Sequence, residues 1–225
     1  MPIKLVVLDM AGTTVADDDA VAKAFIQAFG RQGFTLTSPE ISPLMGYKKT
    51  EAIRIVLERL GTQPAEPEKI DQIHEDFTRE MIRYYTTSPA VQPTPYAGEL
   101  LQELKKRGIQ VAMNTGFPRS IADTLMDRMG WVRQGLVDRY IASDEVPAGR
   151  PQPLMIQNLM AHAGITDPRE VAKIGDTEVD VHEGRNAGCG LVVAVTTGAF
   201  TREALLEHQP DFIIDSLAEL PALID

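Results

Sequence analysis

The sequence predicts an α/β protein: a parallel β-sheet covered by helices, interrupted after its first strand by an all-helical insertion. Short apolar runs bounded by turns recur at 3–8, 110–114, 140–142, 171–174, 191–195 and 212–214, with helical patterns between most of them. That alternation is what a sheet with helical connections writes into a chain. The interval 15–94 contains no such run and is helical in pattern throughout, with breaks at 35–39, 61–67 and 88–95. Three of the runs end on a carboxylate or hydroxyl with a glycine within three residues, at the strand ends where an open α/β sheet binds its ligands. The organisation expected is therefore a core domain of residues 1–14 and 95–225 and a helical cap domain of residues 15–94.

The first run, Val6-Val7-Leu8, delivers Asp9 to its carboxyl end and then turns at Gly12, where the absent side chain lets backbone approach a phosphate. A carboxylate placed there can act as a nucleophile through an aspartyl phosphate; taken alone, it could equally cap the next helix. Asp17, Asp18 and Asp19 open a helix over 20–29, as acidic residues favour a helix N-terminus. Met45-Gly46-Tyr47-Lys48-Lys49 precedes another helix with Ile53, Val56, Leu57 and Leu60 on one face; Lys49, four residues before Ile53, lies on that stripe and Lys48 does not. Prolines 89, 93 and 95 mark the return to the core, so the crossings near 15–18 and 89–95 are the expected hinges.

The second run ends at Thr115-Gly116, with a hydroxyl and backbone amides that could hold an anion or merely close a turn. After the run at 140–142 comes Val146-Pro147-Ala148-Gly149-Arg150-Pro151. The run at 171–174 ends in Gly175-Asp176, with Asp180 four residues on. Cys189, between two glycines before the fifth run, reads as inert core.

Composition narrows the function. At 225 residues the chain holds one sizeable α/β core and a smaller lobe, since domains run to ~100–200 residues. A formal net charge of −10 argues against a nucleic-acid surface and for small-molecule chemistry. One cysteine excludes an internal disulfide. No apolar stretch approaches the ~20 residues that span a bilayer, and no signal-peptide pattern opens the chain, so a cytoplasmic protein without a membrane partner is expected.

Four separated motifs, Asp9 to Thr13, Thr115 with Gly116, Arg150 before Pro151, and Gly175-Asp176 with Asp180, occur in an order that resembles the haloacid dehalogenase superfamily of hydrolases, nearly end to end. Within it, Asp9-Met10-Ala11-Gly12-Thr13-Thr14 and the segment ending in Arg150-Pro151 are most similar to the phosphonoacetaldehyde hydrolases, or phosphonatases. The resemblance implies a Rossmann-like core with an inserted helical cap. It implies Asp9 as nucleophile, Mg²⁺ held by Asp9, the Ala11 carbonyl and Asp176, and Asp180 binding the ion directly or orienting a water. Thr115 and the amides near Gly12 and Gly116 would hold phosphate oxygens, and Arg150, in place of the superfamily's usual lysine, would neutralise the phosphoryl group. Phosphonatases dimerise through their caps, so a homodimer is expected as well.

Superfamily phosphatases carry a general acid two residues after the nucleophile; this chain has Ala11. Losing such an acid typically costs ~10²–10⁴-fold in rate. Phosphonatases avoid the need, because a cap lysine forms a Schiff base with the substrate aldehyde and carbon leaves phosphorus as an enamine. Their Met-Gly-x-x-Lys segment matches here at Lys49, whose withdrawal from water would lower its pKa. One position departs: the family histidine three residues after that lysine is Ala52. The expected activity is Mg²⁺-dependent cleavage of phosphonoacetaldehyde or a close phosphonate, with hydrolysis of a small phosphate monoester as the alternative.

Overall fold

The computed structural model describes residues 2–62 and 64–224. Strands β1 (Leu5–Asp9), β2 (Gln110–Thr115), β3 (Arg139–Ala142), β4 (Val171–Gly175), β5 (Leu191–Val195) and β6 (Phe212–Ile214) form one sheet in the order β3-β2-β1-β4-β5-β6, every neighbouring pair parallel. All six lie on the apolar runs. The first sits slightly later than the run alone suggests, because Asp9 stays in the ladder opposite Asn114.

Strand β1 is central, and both its faces are covered, so Leu5 to Leu8 can all be apolar and buried. Successive side chains point to opposite faces. Val6 and Leu8 join one hydrophobic cluster, while Leu5 and Val7 join another with Met155, Ile156 and Val192. Helices α5 (Ala97–Lys106), α6 (Arg119–Met129), α7 (Leu154–Ala163), α8 (Glu178–Ala187) and α9 (Arg202–Glu207), numbered after the four inserted helices below, alternate with the strands. The sequence steps away from β1 in both directions, to β2 on one side and β4 on the other. Such a switch point opens a crevice at the strands' carboxyl ends. Asp9, Thr115 and Asp176 all stand there.

Between β1 and α5 lie α1 (Ala20–Arg31), α2 (Ser38–Ile41), α3 (Lys49–Arg59) and α4 (Pro67–Thr87), with no strand longer than an isolated bridge among the described residues. An aromatic seam joins α1 to α4: Phe25 meets Phe29 at 5.2 Å and Phe77 at 5.7 Å between ring centres. The seam continues into the core, where Phe117 after β2 meets Phe77 at 6.3 Å and Tyr85 at 6.0 Å. Leu60 is not part of it; α3 ends at Arg59, leaving Leu60 as the capping residue and 40% exposed.

The outgoing and returning chains pair with each other. Val15 bridges Pro93 antiparallel, the Thr94 amide donates to the Thr14 carbonyl at 2.9 Å, and the Thr94 hydroxyl donates to the Thr13 carbonyl at 2.7 Å. The two crossings thus form one short ribbon anchored beside the Gly12 turn. No helix among the described residues is long and apolar enough to cross a membrane.

Candidate active site

The core wall of the crevice is built around Arg150, whose side chain is fully buried. Its Nη2 donates to Asp9 Oδ1 at 2.6 Å and to the Asn114 carbonyl at 2.7 Å, and its Nη1 lies 2.8 Å from Asp180 Oδ1. A second buried cation joins it: Lys173 Nζ donates to Asn114 Oδ1 at 2.8 Å and lies 2.8 Å from the same Asp180 oxygen. Asn114 Nδ2 in turn donates to both oxygens of Glu183, at 2.9 and 2.8 Å. Buried charge is tolerated only when paired in this way. Arg150 therefore stands behind Asp9 as the support of that wall and does not itself line the crevice; it aligns the carboxylate.

Burial pushes the Asp9 carboxyl up to about 6, with Arg150 pulling the other way. Burial also acts on Asp180, but Arg150 and Lys173 outweigh it and hold that carboxyl below its ordinary value. The other Asp180 oxygen accepts from the Thr177 hydroxyl at 2.6 Å and the Thr177 amide at 3.3 Å, capping α8.

Asp176 faces Asp9 from the end of β4. Its Oδ1 accepts from Thr13 Oγ1 at 3.0 Å and its Oδ2 from the Ala199 amide at 2.8 Å. Burial, then Asp9 and Asp180, raise its pKa well above the usual carboxylate range. The Gly12 turn closes over it at φ +90°, and a Cβ there would fall 2.6 Å from Asp176 Oδ2. Only glycine fits on both counts.

Three buried carboxylates, Asp9, Asp180 and Glu183, thus share two fixed cations, Arg150 and Lys173, and the buried Asp176 has no cation partner among the described residues, so the four carboxylates, all ionised, exceed the two cations by two charges. The deficit is that of one divalent ion. Among the described residues no three His, Cys, Asp or Glu side chains converge on a common point, because Asp180 is engaged by Arg150, Lys173 and Thr177. The arrangement suits Mg²⁺, which keeps several waters and needs few protein oxygens. Asp9, Ala11 and Asp176 line the crevice and are the residues that would hold such an ion; Asp180 is not among the lining residues.

Thr115 Oγ1 accepts from the Phe117 amide at 3.1 Å, which leaves its own proton free for a ligand. Gly116 lies under the cap loop: a Cβ there would sit 2.4 Å from the Tyr47 carbonyl oxygen. The cap is latched at this point. Tyr47 donates its phenol proton to Glu178 Oε1 at 2.9 Å, and Lys48 lies along Gly149, reaching the Val146 carbonyl at 3.4 Å.

Lys49 turns the opposite way from Lys48. At the first position of α3 and 3% exposed, it projects into the crevice, with Nζ 5.4 Å from the Phe117 ring centre and 5.9 Å from that of Phe77. It has no hydrogen-bond or ion-pair partner among the described residues. Burial, helped by Arg150, lowers its pKa to about 8. Asp17 also lines this space, opposite the expectation that it serves only to open a helix. Its Oδ1 does accept from the Val21 amide at 3.1 Å, so it caps α1 as well, whereas Asp19 at the formal cap position bonds nothing with its side chain. Burial lifts Asp17 to about 6, against the Val21 amide and Lys49. The space is small, about 40 Å³.

Lys173, Asn114, Glu183 and Asp17 escape the motif reading. A lysine inside Val171-Ala172-Lys173-Ile174 and an asparagine inside Val111-Ala112-Met113-Asn114 were the available signals, since a polar residue in a doubly covered strand must have a partner.

The family model for haloacid dehalogenase-like hydrolases matches residues 3–188. The chain belongs to that family. Among curated relatives, a phosphonoacetaldehyde hydrolase from Bacillus mycoides is 30% identical, over 93% of this chain and 83% of the relative. One from Bordetella pertussis is 29% identical, over 100% of this chain and 92% of the relative. Two solved structures share the fold. A phosphonoacetaldehyde hydrolase-like protein from Oleispira antarctica superposes with a TM-score of 0.84 at 24% identity, covering 100% of this chain and 92% of the other. A predicted phosphoglycolate phosphatase from Haemophilus somnus superposes with 0.80 at 18% identity, covering 99% and 98%.

Proposed function

We propose that this hydrolase cleaves the carbon–phosphorus bond of phosphonoacetaldehyde or a close phosphonate, using Lys49 as an imine-forming amine and Asp9 as the phosphoryl acceptor. The observation that carries the reading is Lys49 itself: a buried lysine with no partner, facing aromatic rings at the mouth of a phosphoryl-transfer crevice. A lysine kept for packing would be paired or would run its amine out to water. A desolvated amine is instead available as a nucleophile.

The electron movements follow from the groups present. The neutral Lys49 amine attacks the aldehyde carbon, and loss of water leaves an iminium. Asp9 attacks phosphorus, and the carbon–phosphorus electron pair moves into the iminium to give an enamine. Protonation at carbon, then water at the imine and at the aspartyl phosphate, release acetaldehyde and phosphate. Arg150 keeps one Asp9 oxygen fixed, which leaves the other for attack. Thr115 and the amides of Ala11 and Gly116 would supply donors to the phosphoryl oxygens, the Gly12 amide being taken by the Val15 carbonyl at 2.8 Å. Mg²⁺ held by Asp9, Asp176 and the Ala11 carbonyl would neutralise charge on the transferring group.

The phosphatase alternative lacks its usual acid at Ala11. Side-by-side assay of phosphonoacetaldehyde and a panel of phosphate monoesters separates the two. Preference for the phosphonate, abolished by Lys49→Met, supports the proposal; faster monoester turnover that survives Lys49→Met overturns it.

A further inference from the structure

We infer that Asp17 is the proton donor for the Lys49 chemistry, delivering its proton to the hydroxyl that must leave when the amine adduct of the aldehyde dehydrates. The inference rests on the imine reading above and adds a group that this reading lacks.

Dehydration of a carbinolamine breaks a C–O bond. The nitrogen lone pair forms the C=N bond, and the departing oxygen needs a proton to leave as water. General acids supply that step with typical gains of ~10²–10⁴-fold. The titratable side chains lining this space are Asp9, Asp17, Lys49 and Asp176. Asp9 is held by Arg150 and is the phosphoryl acceptor. Asp176 is held by Thr13 and Ala199 beside the metal position. Lys49 is the amine. Asp17 remains.

Its geometry suits the task. One oxygen is pinned by the Val21 amide, fixing the carboxyl at the head of α1, and the other has no protein partner among the described residues. Asp17 and Lys49 line the same crevice and interact electrostatically without forming a direct ion pair among the described residues, so a substrate atom in that crevice is exposed to both. The groups around Asp17 are Lys49 on α3, Asp18 and Asp19 on its own segment, and Tyr84 and Tyr85 on α4. Tyr85 is buried, and its hydroxyl has no hydrogen-bond partner among the described residues. This surrounding favours the protonated acid. The Asp17 carboxylate left after donation can take a proton back from the water that later hydrolyses the imine, so the group returns to its starting state.

The test compares wild type, Asp17→Asn and Asp17→Glu in the full chain with Mg²⁺ and phosphonoacetaldehyde, using Asp19→Asn as the control for charge in the same run. The Asn variant still accepts the Val21 amide. It should lose about 10²-fold or more in kcat/KM, Asp17→Glu should recover part of that loss, and Asp19→Asn should match wild type. The pH profile is the readout that a merely structural role would not move. Activity that needs neutral Lys49 and protonated Asp17 together is level between about pH 6 and about 8 and falls on both sides. Without Asp17 the rate should rise through that interval and stay level above it. An Asp17→Asn enzyme with the wild-type rate and profile, whose Lys49 is still trapped by borohydride with substrate, overturns the inference and leaves the imine reading standing. Failure to trap Lys49 in wild type overturns both.

Discussion

Lys173 and Lys49 are both buried lysines, one in the central sheet and one in the cap, 0% and 3% exposed, and their surroundings differ in every other respect. Lys173 is enclosed by Asn114, Asp180 and Glu183, so its charge is matched on several sides. Lys49 faces two phenylalanine rings and an open gap. Cation–π attraction repays only part of the cost of desolvating an ammonium. The contrast separates two uses of buried charge. The core wall fixes the orientation of Asp9 by pairing its buried charges with opposite ones, while the cap wall leaves an amine and one carboxyl oxygen without a hydrogen-bond partner among the described residues and therefore reactive.

Replacing Lys49 and Lys173 in turn should give opposite results. Lys49→Met should remove phosphonoacetaldehyde hydrolysis by about 10⁴-fold or more, as expected when a covalent nucleophile is lost. It should also stabilise the fold. The Lys49 pKa in the folded protein, about 8, lies below its ordinary 10.5. The folded state therefore binds fewer protons than the unfolded chain across that interval, wild-type stability rises as pH climbs from 8 to 10.5, and the whole penalty of about 3 kcal/mol is present below pH 8. Urea denaturation at pH 7 and pH 10.5 should show Lys49→Met ahead of wild type at the lower pH and the gap narrowed at the higher. A variant no more stable than wild type at pH 7 would mean that Lys49 is better paired than its surroundings indicate.

Asp176→Asn comes next. Removing one of the two carboxylates that fit the ion should lower Mg²⁺ affinity and activity together, read by calorimetric titration of Mg²⁺ and by the metal concentration needed for half-maximal rate. Unchanged affinity would place the ion elsewhere. Lys173→Met leaves Asp180 and Glu183 with one cation between them and should cost about 3–5 kcal/mol in the same urea experiment. A neutral result would show that Arg150 alone balances the cluster.

Much of this was legible in the sequence because it depends on strand ends. Apolar runs locate β1, β2 and β4, and a parallel sheet carries whatever follows them to one edge, so Asp9, Thr115 and Asp176 could be grouped from spacing alone. Lys49 was legible for a similar reason, its spacing to Ile53 on a helical stripe. The inward direction of Asp17 was not, because it depends on positive φ at Asp18 and Asp19, 44° and 60°, which bends the chain just before α1. Nothing in a run of three aspartates says which one turns inward. The engagement of Asp180 by Arg150 and Lys173 was also hidden, since it joins residues from three separate segments.

The smallest effect expected is at the latch. Tyr47→Phe removes the half-buried bond to Glu178 that ties cap to core. At about 1 kcal/mol for such a bond it should raise KM by roughly threefold to tenfold with little change in kcat. A fall in kcat with KM unchanged would show that the latch positions Lys49 in the closed state rather than holding the cap down.

The claim that the cap's unpaired lysine is the imine-forming amine is tested most directly by reducing the enzyme with borohydride during turnover of phosphonoacetaldehyde and mapping the modified peptide. The account predicts a two-carbon adduct confined to Lys49, absent without substrate and absent from the adjacent Lys48. Active enzyme that acquires no adduct, or one carried by a different lysine, would contradict it.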